Sequence, residues 1–213
     1  MDLPGVIPIF PLPNVVHFPG VSLPLHIFEP RYREMVRAAL AGDGLIGMVL
    51  LRAGWEPEYQ GRPSVFPTGT AGRIVHCEPL GDGRFNIVLL GEREFRVQHE
   101  VDDASYRRAV VEWRRTPAGD LPADLRDRVW ALVRDHLRTL GREGAMPASP
   151  GAGVSDQAFL GFLAQHLDLS PVERQGLLEA ETLAERAERL IASLEFQRQA
   201  ARAPTMPGSL RSQ

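Results

Sequence analysis

Six histidines, a single cysteine and a dense set of arginines and carboxylates are the residues of this chain that could carry chemistry. His76 and Cys77 are neighbours. A Cys–His nucleophilic pair needs its two side chains within hydrogen-bond reach. Residues 69–78 are strand-forming, and adjacent side chains on a strand point to opposite faces. The spacing therefore predicts a core-facing Cys77 beside a solvated His76, not a dyad. A metal site needs three or four His, Cys or carboxylate ligands. His17, His26, His76, His99, His136 and His166 show no spacing of two to four residues, so neither a metal nor a cofactor is expected. Glu29 with Arg31 and Arg33 resembles an acid–base or anion-binding cluster. Pro30 suits the first turn of a helix, and a carboxylate just before that turn is stabilised by the helix dipole. Glu29 is therefore read as a helix-start residue paired with a nearby arginine. His26 is read as a hydrogen-bonded histidine near the same strand-to-helix junction.

An absence is equally informative. All 24 basic residues are arginine. A P-loop needs a lysine on the phosphates, and a Ser–Lys protease needs its lysine base. Neither site can be built from these residues, and no enzymatic activity is expected. The arginine-only usage is read as coding bias, because Arg and Lys differ mainly at paired or stacked sites. Ala41-Gly42-Asp43-Gly44 lacks the glycine pattern of a phosphate cradle and reads as a turn. A net charge of −3 and a pI near 6.1 give no electrostatic reason to expect nucleic acid, an anionic membrane or a strongly acidic partner. The dense basic pairs, Arg107-Arg108 and Arg114-Arg115, are dispersed if they lie on a strand.

The segment Ala53–Pro67 places Trp55, Tyr59 and Phe66 among Gly and Pro. Aromatics in a loop are good anchors for a partner or an unfolded segment. They can equally lie down on the body and plug one end of it. Both readings stand at this level. Trp55, Tyr59 and Phe66 are the candidate protein-binding residues.

Two kinds of element must position these groups. The first half reads as strands: Val6–Phe10, Leu23–Phe28, Leu45–Arg52, Gly69–Glu78, Arg84–Leu90, Glu94–Glu100 and Arg107–Arg115. Six prolines between residues 7 and 36 break the early strands into short pieces, since proline is confined to starts, edges, bulges and turns. Asp82-Gly83 marks a hairpin. Tyr32, Met35, Val36, Ala39 and Leu40 make one apolar helical face, so a helix is expected over about 30–41. Short, closely spaced strands point to a small barrel or sandwich. The second half reads as helices. Leu125, Val129, Leu132, Val133, His136 and Leu137 recur at helical spacing. Ser155 opens a helix to about Leu167. Ser170-Pro171-Val172-Glu173 is a capping box, and Thr182-Leu183-Ala184-Glu185 repeats it. Residues 141–154 read as a flexible connector and 203–213 as a disordered tail. The fold class is α+β, with a β-rich unit over 1–116 and a helical bundle over 121–202. The single Cys77 excludes an intrachain disulfide. With no signal-peptide run and no stretch of membrane-spanning length, a cytoplasmic location is expected.

The residues Ile9-Phe10-Pro11-Leu12, Phe18-Pro19-Gly20, Leu23-Pro24-Leu25-His26-Ile27-Phe28-Glu29 and Pro30-Arg31-Tyr32 resemble the opening of the N-terminal, substrate-binding domain of Lon proteases in its stand-alone form. Gly69-Thr70-Ala71-Gly72-Arg73-Ile74, Gly83-Arg84-Phe85-Asn86-Ile87, Gly91-Glu92-Arg93-Glu94-Phe95-Arg96-Val97 and Glu173-Arg174-Gln175-Gly176-Leu177-Leu178-Glu179 follow in the same order. The resemblance runs from about residue 6 to about residue 197. It implies a compact, PUA-like β subdomain and a module that handles polypeptide substrates or partner proteins without bond chemistry. It leaves two other classes to be weighed. A small-molecule binder or enzyme would need His26, His76 and Cys77 to meet in one pocket. An RNA-binding PUA-like protein would need a basic face.

Overall fold

The computed structural model describes residues 3–59, 61–115, 120–142 and 154–202. Its elements are β1 (Val6–Leu12), β2 (Ser22–Ile27), α1 (Pro30–Ala41), β3 (Leu45–Leu50), β4 (Thr68–Pro79), β5 (Phe85–Val101), β6 (Arg108–Trp113), α2 (Ala123–Thr139), α3 (Asp156–His166), α4 (Pro171–Glu179) and α5 (Leu183–Arg202). One mixed sheet runs in the order β2-β5-β4-β3-β1-β6. A further β5–β6 pairing closes β5, β4, β3, β1 and β6 into a ring and leaves β2 as an added edge strand. The fold is thus α+β. Most of the expected connector, residues 143–153, and the expected tail, 203–213, lie outside the described residues.

The prolines explain how the early strands pair. Val6–Pro8 of β1 pair antiparallel with β6, whereas Ile9–Leu12 pair parallel with β3. Each half of the strand has one neighbour on the ladder side that counts. Ile9 donates to Arg107 O and Leu12 O accepts from Leu51, so odd and even positions face opposite sides. Pro8 then faces the β3 side before that ladder begins, and Pro11 faces the β6 side beyond its end. Neither missing N–H interrupts a bond. Pro24 sits on edge strand β2 opposite Val88, where it blunts an otherwise open strand edge.

One expectation is corrected. Arg84–Leu90 and Glu94–Glu100 are not two strands but one, β5. Gly91 and Arg93 stay paired with Gly72 and Ala71 across a register shift. Glu92 is the extra residue of a bulge, which bends a strand without ending it. The bend lets the first half of β5 pair with β2 and the second half with β6. Asp82-Gly83 does make the preceding turn, with Gly83 at φ 81.

The core has three parts. Ile7, Ile9, Val49, Phe95, Ala109 and Val111 fill the strand ring. Tyr32, Met35, Val36 and Ala39 of α1 pack on Leu23, Ile27, Ile87 and Leu89. The largest cluster joins Val16, Phe18, Val21 and Leu50 to the apolar faces of α2–α5. Local chemistry starts these helices where expected. Ser155 Oγ accepts from Ala158 N at 3.2 Å. Ser170 and Glu173 form a complete capping box. Thr182 Oγ1 accepts from Glu185 N at 3.0 Å.

Candidate functional site

The aromatic segment after β3 is placed in two parts. Tyr59 donates its hydroxyl to Glu29 Oε1 at 2.7 Å, and Arg31 Nε donates to Glu29 Oε2 at 3.0 Å. The Arg31 guanidinium lies 4.6 Å from the Tyr32 ring centroid and 5.2 Å from that of Tyr59. Trp55 meets Tyr59 edge-on at 5.5 Å. Glu29, the residue before α1, thus serves as the expected helix-start carboxylate and also holds the loop. Burial and the Glu29 hydrogen bond push the Tyr59 hydroxyl pKa up. Phe66 is not in this stack. It packs on the helical core cluster, with the Arg52 guanidinium 4.7 Å above its ring.

Phe66 instead lines a groove of about 980 Å³ between the strand ring and the α4–α5 corner. Arg52, Phe66, Arg96, Trp113 and Arg115 form its strand side, and Glu179, Glu181 and Arg189 its helix side. Phe66 and Trp113 are half-buried, while Arg52, Arg96 and Arg115 are exposed. Sequence reasoning did not select Trp113, Arg96 or Arg115 for binding. A signal was present: Glu94, Arg96, Glu112 and Arg114 are polar at alternate positions of paired strands, which puts them on one outward face.

That face runs from the open groove into a buried polar seam. Glu94 is 2% exposed. Its carboxylate accepts from Arg114 Nη1 at 2.9 Å and from Arg186 Nη2 at 2.7 Å. Arg114 also donates to the carbonyls of Leu178, Glu179 and Ala180. These are carbonyls that the end of α4 leaves open, where a cation is favoured. Gln175 Nε2 donates to Thr68 O at 3.0 Å. The seam thereby ties β4, β5 and the end of β6 to α4 and α5.

His17 lies against Gly72 of β4. It is 1% exposed, and neither ring nitrogen has a hydrogen-bond partner among the described residues. Burial lowers its pKa to about 4. In the unfolded chain it returns to about 6.5, so the unfolded state binds the extra proton between these values. Stability is therefore full above pH 6.5 and falls as pH drops towards 4, by about 3 kcal/mol in total. His136, also lowered by burial, acts with the same sign. The expected result is that His17→Leu flattens most of the slope of urea-unfolding free energy between pH 6.5 and 4. An unchanged slope would show that His17 is not held neutral.

The histidine and cysteine candidates separate. His26 and His76 share a shallow depression of about 360 Å³ with Pro24, Asn86 and Val88. His26 Nδ1 is 2.8 Å from Asn86 Oδ1, and Asn86 Nδ2 donates to Glu78 Oε2. Cys77 turns the other way and packs half-buried against the α1 cluster, where burial raises its thiol pKa. Among the described residues, no group of three His, Cys, Asp or Glu side chains is placed to hold a metal. The basic pairs separate as well. Arg107 is buried on Glu100, while Arg108 reaches Asp103 on the surface. No helix among the described residues is long and apolar enough to cross a membrane.

Known proteins resemble this chain in sequence and fold. Residues 6–195 match the model of the ATP-dependent protease La (LON) substrate-binding domain. The chain is 31% identical over 207 residues to Lon protease 2 of Myxococcus xanthus, covering 93% of this chain and 24% of that protein. It is 28% identical over 196 residues to the Lon protease of Flavobacterium johnsoniae, covering 87% and 23%. The chain thus spans about a quarter of the length of these relatives. The crystal structure of a Lon N-terminal domain protein from Xanthomonas campestris superposes with a TM-score of 0.65 at 27% identity, covering 88% of this chain and 97% of that one. The N-terminal domain of the Mycobacterium avium complex Lon protease, at 15% identity and a TM-score of 0.64, shares the fold. On sequence and superposition together, this chain belongs to the Lon substrate-binding domain family.

Proposed function

We propose that the chain is a non-catalytic, cytoplasmic module that binds polypeptide segments, built as a PUA-like β unit over 1–116 and a helical bundle over 121–202. The observation that carries this reading is the match of residues 6–195 to a domain described by substrate binding. The lysine-free composition supports the non-catalytic part, since neither a P-loop nor a Ser–Lys pair can be made from it. The separation of Cys77 from the depression that His26 and His76 share and the pairing of Arg107 and Arg108 with carboxylates weigh against the small-molecule and RNA readings.

The binding residues in this reading are Trp55 and Tyr59, stacked at Glu29, and Phe66, which lies apart from them on the helical core. The test uses a labelled, permanently unfolded polypeptide such as reduced and carboxymethylated α-lactalbumin. Truncating an aromatic that acts as an anchor weakens capture by about 2 kcal/mol or more with folding intact. We expect this of Phe66→Ala and Trp55→Ala. Tyr59→Ala should also lower the melting temperature, because Tyr59 holds Glu29 and covers Arg31. Unchanged capture with lower melting temperatures in all three variants would make the segment a structural plug and overturn the site. Absence of any capture by the parent protein would overturn the function.

A further inference from the structure

The groove between the strand ring and the α4–α5 corner has a chemistry that narrows what can occupy it. Its arginines divide into two groups. Arg114 is held by Glu94, and Arg189 is held by Glu185 at 2.6 Å. Arg52, Arg96 and Arg115 have no carboxylate within 4.0 Å among the described residues. Arg52 uses Nε on Val65 O, which leaves the outer edge of its guanidinium open. Arg96 sits directly opposite Glu112 in the β5–β6 register, yet Glu112 turns to accept from Gln98 Nε2 at 2.8 Å. Three planar forks, each suited to a carboxylate, thus border the half-buried Phe66 ring, while Trp113, paired with Phe95, turns its ring to the strand-ring core and donates Nε1 to Pro4 O.

The acidic residues of the same lining exclude a different class of ligand. Glu112, Glu179 and Glu181 lie between or across from the arginines. A nucleic-acid backbone carries a charge at every step and would set phosphates against these carboxylates. A polypeptide spaces its charges and can direct an apolar side chain onto the Phe66 ring between them. The lining carries five arginines against three glutamates, an excess of two positive charges that favours an acidic segment.

We propose that this groove takes an extended peptide segment in which carboxylate side chains flank an aromatic or large aliphatic residue. The carboxylates pair with Arg52, Arg96 and Arg115, and the apolar side chain lies on Phe66. The assignment rests on the polypeptide-binding reading above and adds to it the composition of the bound segment.

The test is fluorescence anisotropy with three short labelled peptides of one length: one alternating Glu and Phe between Ser spacers, one with Arg for each Glu, and one with Gln. The acidic peptide is expected to bind about tenfold or more tighter than the other two, a difference of about 1.4 kcal/mol, and to weaken with added salt. Arg96→Ala with Arg115→Ala should remove that preference. Both side chains are exposed and form no ion pair among the described residues, so the melting temperature should stay close to the parent value. Equal binding of the Arg or Gln peptide overturns the proposal, as does a double variant that keeps the acidic preference. Tighter binding of a single-stranded RNA oligonucleotide that the double variant loses would also overturn it. Capture of unfolded α-lactalbumin separates the two levels. If parent and double variant capture it equally while the acidic preference is absent, the groove assignment fails and the broader function stands. If neither captures it, both fail.

Discussion

Glu94→Ala is expected to lower the unfolding free energy by about 3–5 kcal/mol, the range for removing one partner of a buried ion pair. The Glu94 carboxylate is the shared acceptor for Arg114 and Arg186, at side-chain exposures of 2%, 22% and 1% respectively. Arg186 already has two guanidinium nitrogens, Nε and Nη1, without a partner among the described residues. Without Glu94 its guanidinium keeps one hydrogen bond among the described residues, to Leu178 O at 3.2 Å, with the Phe18 ring 5.9 Å away, and a full buried charge. Arg114 suffers less, because it is partly exposed and retains the α4 carbonyls. Loss should therefore arise mainly through Arg186. This gives a second measurement: Glu94→Leu combined with Arg186→Met should recover most of the stability lost in Glu94→Ala, since a buried pair can often be exchanged for apolar packing at little cost. Urea unfolding of the three variants decides the matter. A loss below about 1 kcal/mol in Glu94→Ala, the level of a surface ion pair, would show that water reaches the seam.

Gly91→Ala is expected to cost about 3 kcal/mol, at the upper end of overpacking effects. A Cβ at this position would lie 2.1 Å from Phe18 O and 2.9 Å from Phe18 C. Those atoms are backbone, so no rotamer change relieves the clash. The backbone is also held on both sides: Gly91 N donates to Val21 O at 3.0 Å, and Gly20 N donates to Gly91 O at 2.8 Å. Moving the Phe18–Val21 turn outward would displace the fully buried Phe18, which packs so closely on α3 that a Cβ added at Gly161 would lie 2.8 Å from its Cβ. The damage should thus spread from the bend of β5 to the packing of α3. Gly81→Ala is the control. Nothing lies within 4 Å of a Cβ there, and its effect should stay within about 0.5 kcal/mol. A Gly91→Ala variant as stable as this control would mean that the turn is not packed against β5 as described.

Both effects lie in contacts that the sequence does not announce, whereas much else was legible in it. Helix α1 could be read from Pro30 at its first turn, the spacing of Tyr32, Met35, Val36 and Ala39, and the glycine at Gly42. The start of α4 could be read from Ser170 and Glu173, which cap each other as expected. These signals work because a helix turn and its cap involve residues three or four apart, so their chemistry is complete within a short window. Residue order across the whole chain also carried the family resemblance. The continuity of β5 was not legible. A bulge at Glu92 and a break between strands look alike until the pairing of Gly91 and Arg93 with β4 is known. The split of the aromatic segment was not legible either, because Tyr59 is placed by Glu29, 30 residues earlier, while Phe66 is placed by the helical core. Arg186 reaches Glu94 across 92 residues and Gln175 reaches Thr68 across 107. No local preference selects one carboxylate or carbonyl over another at such separations. The choice follows from which faces of the strand ring the helices cover, and where that cover stops, the same outward row of β5 and β6 becomes the open groove.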